Sequence, residues 1–153
     1  MFLLVAVGLL LAGSTPCDRR GDRDSAVCEG RQVLNAIRAR DASKMLAYVG
    51  PSGVVCGDSV LSRAFIKDSV SRRGSQMYAW LFDEKTFQAK YGGTASHSLA
   101  YELRNGVTVS VAADSLGSDQ WQVVYSYPGG NHSAVFAWTG RAWRIVAGGV
   151  FCM

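Results

Sequence analysis

Three sets of residues in this 153-residue chain are of types that could do chemistry: the string Gly57-Asp58-Ser59, the histidines His97 and His132, and the cysteines Cys17, Cys28, Cys56 and Cys152. A serine after Gly-Asp suits a nucleophile on a strand-to-helix turn, provided that a base lies within hydrogen-bond reach. His97 and His132 are the only imidazoles, so a general base or a metal centre must use one of them or a carboxylate. Both stand at the edges of expected strands near glycines, where solvent reaches them. Asp58 and Ser59 are better read as helix N-cap residues, whose side-chain oxygens accept the free amide protons of a first turn. No catalytic residue and no cofactor is assigned.

The four cysteines form an even set, which in an exported chain implies disulfides. Three pairings are possible. Cys17 with Cys28 would pin a polar N-terminal arm, leaving Cys56 with Cys152 to tie an early loop to the last strand. No C-x-x-C occurs and the spacings are irregular, so no metal site is expected.

Export is the reading of the unbroken apolar run from Met1 to Ala12, which has the length of a signal-peptide core and is short of the ~20 residues of a membrane span. Ala12 and Ser14 place small residues where a signal peptidase needs them, so cleavage is expected before Thr15. Residues 1–14 are then a signal peptide, 15–30 a charged arm tethered by its cysteines, and 31–153 a single domain. The location is periplasmic or secreted, with no transmembrane anchor after processing. Lipidation at Cys17 is a minor alternative, because Ser14, Thr15 and Pro16 fit a lipoprotein signal poorly. The net charge of +4 is concentrated before Gln76, and twelve of the sixteen basic residues are Arg. Such a face suits an acidic protein surface or anionic envelope polymers. Nucleic acid is excluded as a partner by export and by the lack of aromatics interleaved with the arginines.

The positioning elements follow from periodicity. Val33, Leu34, Ile37, Met45 and Leu46 recur at helical spacing from Arg31 to Val49, and Gly50-Pro51 stops that helix. A second helix is expected from Asp58 or Ser59 to Arg73-Gly74. Met77 to Phe82 fits a helix or a buried strand equally, and Asp83 to Tyr91 reads as helix. The period then changes to two, predicting strands at Ser98–Leu103, Val107–Ala113, Trp121–Tyr127, Ser133–Trp138 and Ala142–Val150. Asn105-Gly106 and Thr139-Gly140 read as hairpin turns, with Trp138 and Trp143 stacking across the second. Helices followed by antiparallel strands make an α+β domain.

Arg40, Asp41 and Leu46 at the end of the first helix, the turn Gly50 to Val54, and the closing segment Gly140 to Ile145 (GRAWRI) together resemble NTF2-like, cystatin-like α+β domains of exported bacterial proteins. The resemblance implies N-terminal helices packed on a curved antiparallel sheet, with room for a cone-shaped cavity. In an enzyme of that plan Tyr91, Tyr101, Glu102 or Tyr125 would point inward. Gly57-Asp58-Ser59 also resembles the nucleophile block of GDSL-type esterases. It departs from it at Val60, and the position three before His132 is Gly129 instead of the family's Asp.

The loop Tyr127 to His132 (YPGGNH) is the candidate recognition element, with Tyr127, Gly129, Gly130, Asn131 and His132 as contact residues. The expected function is that of an exported, non-catalytic binding protein, an inhibitor or immunity-type protein that blocks a cell-wall hydrolase or toxin. Its partner would be another envelope or secreted protein. The alternatives are a ligand-binding or catalytic cone and an envelope scaffold or lipoprotein-like assembly factor.

Overall fold

The computed structural model describes residues 16–18, 20–92, 97–105, 110–127 and 130–153. The apolar run 1–12 and the cleavage site before Thr15 lie outside the described residues. Helix α1 (Arg23–Arg38) opens on Asp22, whose carboxylate accepts from Ser25 N at 2.9 Å. It therefore begins inside the segment read as a tether. Its buried face is Ser25, Ala26, Gly30, Val33, Leu34, Ala36 and Ile37. The first half of that face is small or polar, which hides its helical period in the sequence. The reason for small residues is close approach: a Cβ on Gly30 would lie 2.7 Å from Val123 Cγ1 and 3.0 Å from Val111 Cγ1 on the sheet.

The arm is a packed element as well. Trp143 Nε1 donates to Ser25 Oγ at 2.9 Å, and Ser25 Oγ donates on to the Asp18 carbonyl at 2.5 Å. Trp121 Nε1 donates to the Gly21 carbonyl at 3.1 Å, and the Trp138 ring lies against Gly21. A disulfide joins Cys17 to Cys28. Three indoles and a disulfide thus hold a segment whose own side chains offer almost no apolar surface.

The expected single helix from Arg31 to Val49 is broken. Arg40 takes a positive φ of 55°, and Asp41 then caps a separate helix α2 (Ala42–Ala47), accepting from Lys44 N at 3.0 Å. Strands β1 (Val54–Cys56) and β2 (Ser59–Leu61) form a hairpin on the two-residue turn Gly57-Asp58. This corrects the reading of Asp58 and Ser59 as caps. Ser59 pairs with Cys56 in the ladder, and the cap of α3 (Arg63–Ser71) is Ser62, which accepts from Phe65 N at 3.1 Å. Gly53 admits the hairpin, since a Cβ there would meet the Leu61 carbonyl oxygen at 2.2 Å.

Three short helices follow: α4 (Gln76–Phe82) capped by Ser75, α5 (Glu84–Lys90) capped by Asp83, and α6 (Leu99–Arg104) capped by Ser98. The last replaces the strand expected at Ser98–Leu103. Leu99, Ala100 and Leu103 are buried at helical spacing, a pattern that six residues cannot distinguish from alternation. Asn105 accordingly ends a helix and does not begin a hairpin; Gly106 lies outside the described residues.

A meander completes the chain: β3 (Ser110–Ser115), β4 (Gln120–Tyr127), β5 (Gly130–Trp138) and β6 (Trp143–Gly148), then a 3₁₀ turn, Gly149–Phe151. Trp138 and Trp143 pair across the Thr139-Gly140 turn with ring centroids 5.4 Å apart, tilted by 52°. The open six-stranded sheet runs β2-β1-β6-β5-β4-β3. Its neighbours are antiparallel except β1 and β6, which run parallel, so the sheet is mixed where an antiparallel one was expected. Helix α1 lies across β3 and β4, and α2, α4 and α6 pack against it. The architecture is α+β. A second disulfide, Cys56 to Cys152, ties β1 to the C-terminal segment.

Replacing Cys56 and Cys152 by serine should cost about 5 kcal/mol in the chain-entropy model, against about 3 kcal/mol for Cys17 and Cys28, because the first pair closes a far longer loop. Denaturant unfolding of the two double variants gives the order, and the reverse order would contradict the assignment of β1–β6 as the main long-range closure. Gly30→Ala should destabilise by about 1–3 kcal/mol despite alanine's helix preference, because stiff valines face the new methyl. A thermal midpoint equal to or above the wild type would refute this close contact.

Candidate functional site

Ser59 and Asp58 are exposed on the β1–β2 hairpin, and the Ser59 hydroxyl has no side-chain partner among the described residues. A nucleophile there would lack a base. His97 is engaged elsewhere: its Nδ1 lies 3.3 Å from Glu84 Oε1, and its ring stacks on Tyr101 with centroids 3.8 Å apart. Glu84 also accepts from Ser98 N at 3.0 Å and from the Ser98 hydroxyl. Burial raises the Glu84 pKa, but the hydrogen bonds from Ser98, His97 and Gln88 outweigh it and hold the carboxyl below its ordinary value. This group anchors the start of α6 against α5. Among the described residues no cluster of three His, Cys, Asp or Glu side chains could hold a metal.

The candidate inward residues are dispersed. Tyr91 is exposed and donates to the Gly74 carbonyl, while Tyr101 and Glu102 stand on α6 and not on a strand. Tyr125 alone is central, only 1% exposed on the helix-covered face. Its hydroxyl has no partner among the described residues, and burial drives its pKa far above the usual value. It is a core residue, surrounded by apolar side chains.

The segment Tyr127 to His132 is not a protruding loop. Tyr127 pairs with Gly130, so only 128 and 129 lie between β4 and β5; Gly129 is outside the described residues. His132 sits inside β5 opposite Tyr125 and faces the helices. It is half-buried between Tyr127, stacked at 5.6 Å, and Trp80 of α4, edge-on at 5.4 Å, with Phe87 behind Trp80 at 5.5 Å. Burial lowers the His132 pKa from 6.5, and the nearby Glu102 charge only partly opposes it. Burial and the same charge raise the Tyr127 pKa. Both rings therefore stay neutral near pH 7 and brace the hairpin. The buried Trp80 Nε1 has no partner among the described residues. Gly130 and Asn131 are exposed, and strand alternation turns Asn131 to the opposite face.

That opposite face was not singled out by the sequence. Its cross-strand neighbours Val124 and Ser133, Gln122 and Val135, and Ser126 and Asn131 are continued on β6 by Ala147 beside Val135 and Arg144 beside Ala137. Val124, Val135, Ala137 and Ala147 remain partly exposed, whereas Val123, Ala134, Phe136 and Ile145, facing the helices, are buried. The β4–β5 strip of the open face carries no charge, and it is flanked by Asp114 on β3 beside Gln122 and by Arg144 on β6. The signal was present as strands with apolar residues on both alternating sets, which the strand reading did not separate.

Cys17 bears on anchoring. Its sulfur is bonded to Cys28, and a lipoprotein thioether would need the same atom. No helix among the described residues is long and apolar enough to cross a membrane. Compared with known proteins, the chain matches no family model, no curated protein and no solved structure at a significant level.

The His132 shift predicts a pH dependence. The unfolded chain takes up a proton near 6.5 where the folded state resists it, so this stabilisation is complete above 6.5 and is lost as pH falls through the lower folded value. An imidazole titration followed by NMR should place the His132 midpoint below 6.5. The fall in thermal midpoint on acidification to about pH 5 should shrink in His132→Gln. A midpoint at or above the ordinary value would contradict the buried placement.

Proposed function

We propose that this chain is an exported binding protein of NTF2-like, cystatin-like plan that blocks another envelope or secreted protein, a cell-wall hydrolase or a toxin. The observation that carries this reading is the open sheet face, with Val124, Val135, Ala137 and Ala147 partly exposed between the neutral polar side chains of Gln122, Ser126, Asn131 and Ser133. An uncharged strip between β4 and β5 suits a protein partner, since charged residues are depleted at the cores of such interfaces. Asn131 belongs to this face, while Tyr127 and His132 stiffen the end of the hairpin from behind. The arginines of α1, α3 and their flanks give an electrostatic bias towards an acidic partner.

Further support comes from the two disulfides, which suit an oxidising compartment, and from the filled interior. Tyr125, Phe82, Phe136 and Phe151 occupy the space beneath the helices where a central cavity would lie.

The test is capture of exported proteins on the immobilised chain, followed by assay of the captured partner's lytic or toxic activity with and without it. Val135→Glu together with Val124→Lys should cost about 1 kcal/mol or less per site in stability. Partner binding should fall by at least about tenfold and inhibition should disappear. A well-folded double variant that still binds and inhibits would remove the face from the proposal.

A further inference from the structure

At the opposite end of β5 from the Tyr127–Gly130 pair, a cleft of about 450 Å³ opens between α1, α2 and the β5–β6 hairpin. This is within the size range of small-molecule sites. Trp138 and Tyr48 line it with partly exposed rings, and Trp143 is buried against Trp138. The cleft's charged groups are of both signs, Glu29 against Lys44, Arg141 and Arg144. Glu29 Oε2 accepts from the Tyr48 hydroxyl at 2.6 Å, and its other carboxylate oxygen has no partner among the described residues. Burial, then the hydrogen bond to Glu29 and that residue's charge, push the Tyr48 pKa far above its usual value, so the phenol remains a donor.

Arg144 is fixed by one nitrogen, Nη1, which donates to the Ala47 carbonyl at 2.6 Å and the Trp143 carbonyl at 3.2 Å. Its Nε and Nη2 have no partner among the described residues. Arg141, on the intervening turn, is exposed and forms no ion pair among the described residues. Two guanidinium groups on one rim, at least one of them pre-oriented, make a receptor for a carboxylate. The partly exposed Trp138 indole suits a ring with an apolar face. An aromatic acid would satisfy the arginines and the walls, but it would leave the open Glu29 oxygen without a donor. A sugar acid supplies hydroxyl donors there.

We propose that this cleft is a binding site for a small saccharide that carries a carboxylate. The carboxylate lies against Arg141 and Arg144, the ring against Trp138, and a hydroxyl donates to Glu29. The cleft borders the open sheet face at Arg144 and does not depend on the partner proposed for that face.

Isothermal titration with N-acetylmuramic acid and N-acetylglucosamine tests this directly, because the two sugars differ by one lactyl carboxylate. The acid should bind with at least about a tenfold preference. It should also perturb the Trp138 and Trp143 indole N–H resonances. Arg141→Ala and Arg144→Gln should each reduce the preference, and Glu29→Gln should weaken both sugars together. Since Arg144 also holds the Ala47 carbonyl, the exposed Arg141→Ala keeps the test decisive if the other variant unfolds. Equal affinity for the two sugars, no binding of the acid at ~10 mM, perturbation confined to residues away from the cleft, or a preference unchanged in Arg141→Ala would overturn the proposal.

Discussion

The architecture depends on one seam, where the chain from Ala47 to Cys56 runs parallel to the chain from Arg144 to Cys152. Ile145 N donates to the Tyr48 carbonyl at 2.8 Å, Val49 bridges Ile145, Val55 pairs with Ala147, and Arg144 clasps the Ala47 carbonyl. The Cys56–Cys152 disulfide closes it across a sequence separation of 96 residues. Every other ladder in the sheet is a hairpin or meander contact between strands consecutive in the chain. The seam alone attaches the β1–β2 hairpin to the meander, and it carries α2 and α3 into place with it. Loop-closure entropy makes such a contact the costliest to form, and a covalent link reduces that cost by restricting the unfolded chain.

The second constraint is the close approach of α1 to the sheet. Gly30 lets the helix settle onto Val111 and Val123, and this depth brings Ser25 within reach of Trp143 and the arm within reach of Trp121. Trp121 and Trp143 do more than fill space, because each spends its N–H on the N-terminal segment and so settles two polar demands at once. Trp80 is the exception, with a buried N–H that has no partner among the described residues. The same geometry forms the wall of the Glu29–Tyr48 cleft. A contact that stabilises the fold thereby also shapes the pocket.

One consequence is a division between the two faces of the sheet. The helix side is filled with large apolar side chains and leaves little for chemistry, and the two histidines are committed to bracing α6 and the β4–β5 hairpin. The surfaces proposed for recognition are the open face and the cleft at the far end of β5. Both proposals use groups on rigid strands or on a pinned hairpin, where little conformational entropy remains to be lost on binding.

The sequence by itself determined the α+β order, the strands β4, β5 and β6 to within a few residues, and the Thr139-Gly140 hairpin. These are local properties, set by period and turn chemistry. Tertiary structure decided the rest. Helix α1 reaches back to Arg23 because Ala26 and Gly30 are small enough for a sheet that lies far along the chain. Ser59 joins a strand and Ser62 takes the cap because Val54 to Cys56 offers a partner ladder. Ser98 to Leu103 coils because its buried side faces α1 and α4, and the parallel β1–β6 seam belongs to no local pattern. His132, which the sequence placed at an exposed tip, is set among aromatic rings because a two-residue turn leaves it inside β5. A residue's neighbours along the chain fix its backbone preferences, but only its neighbours in space fix what it touches, and both proposed sites consist of such contacts.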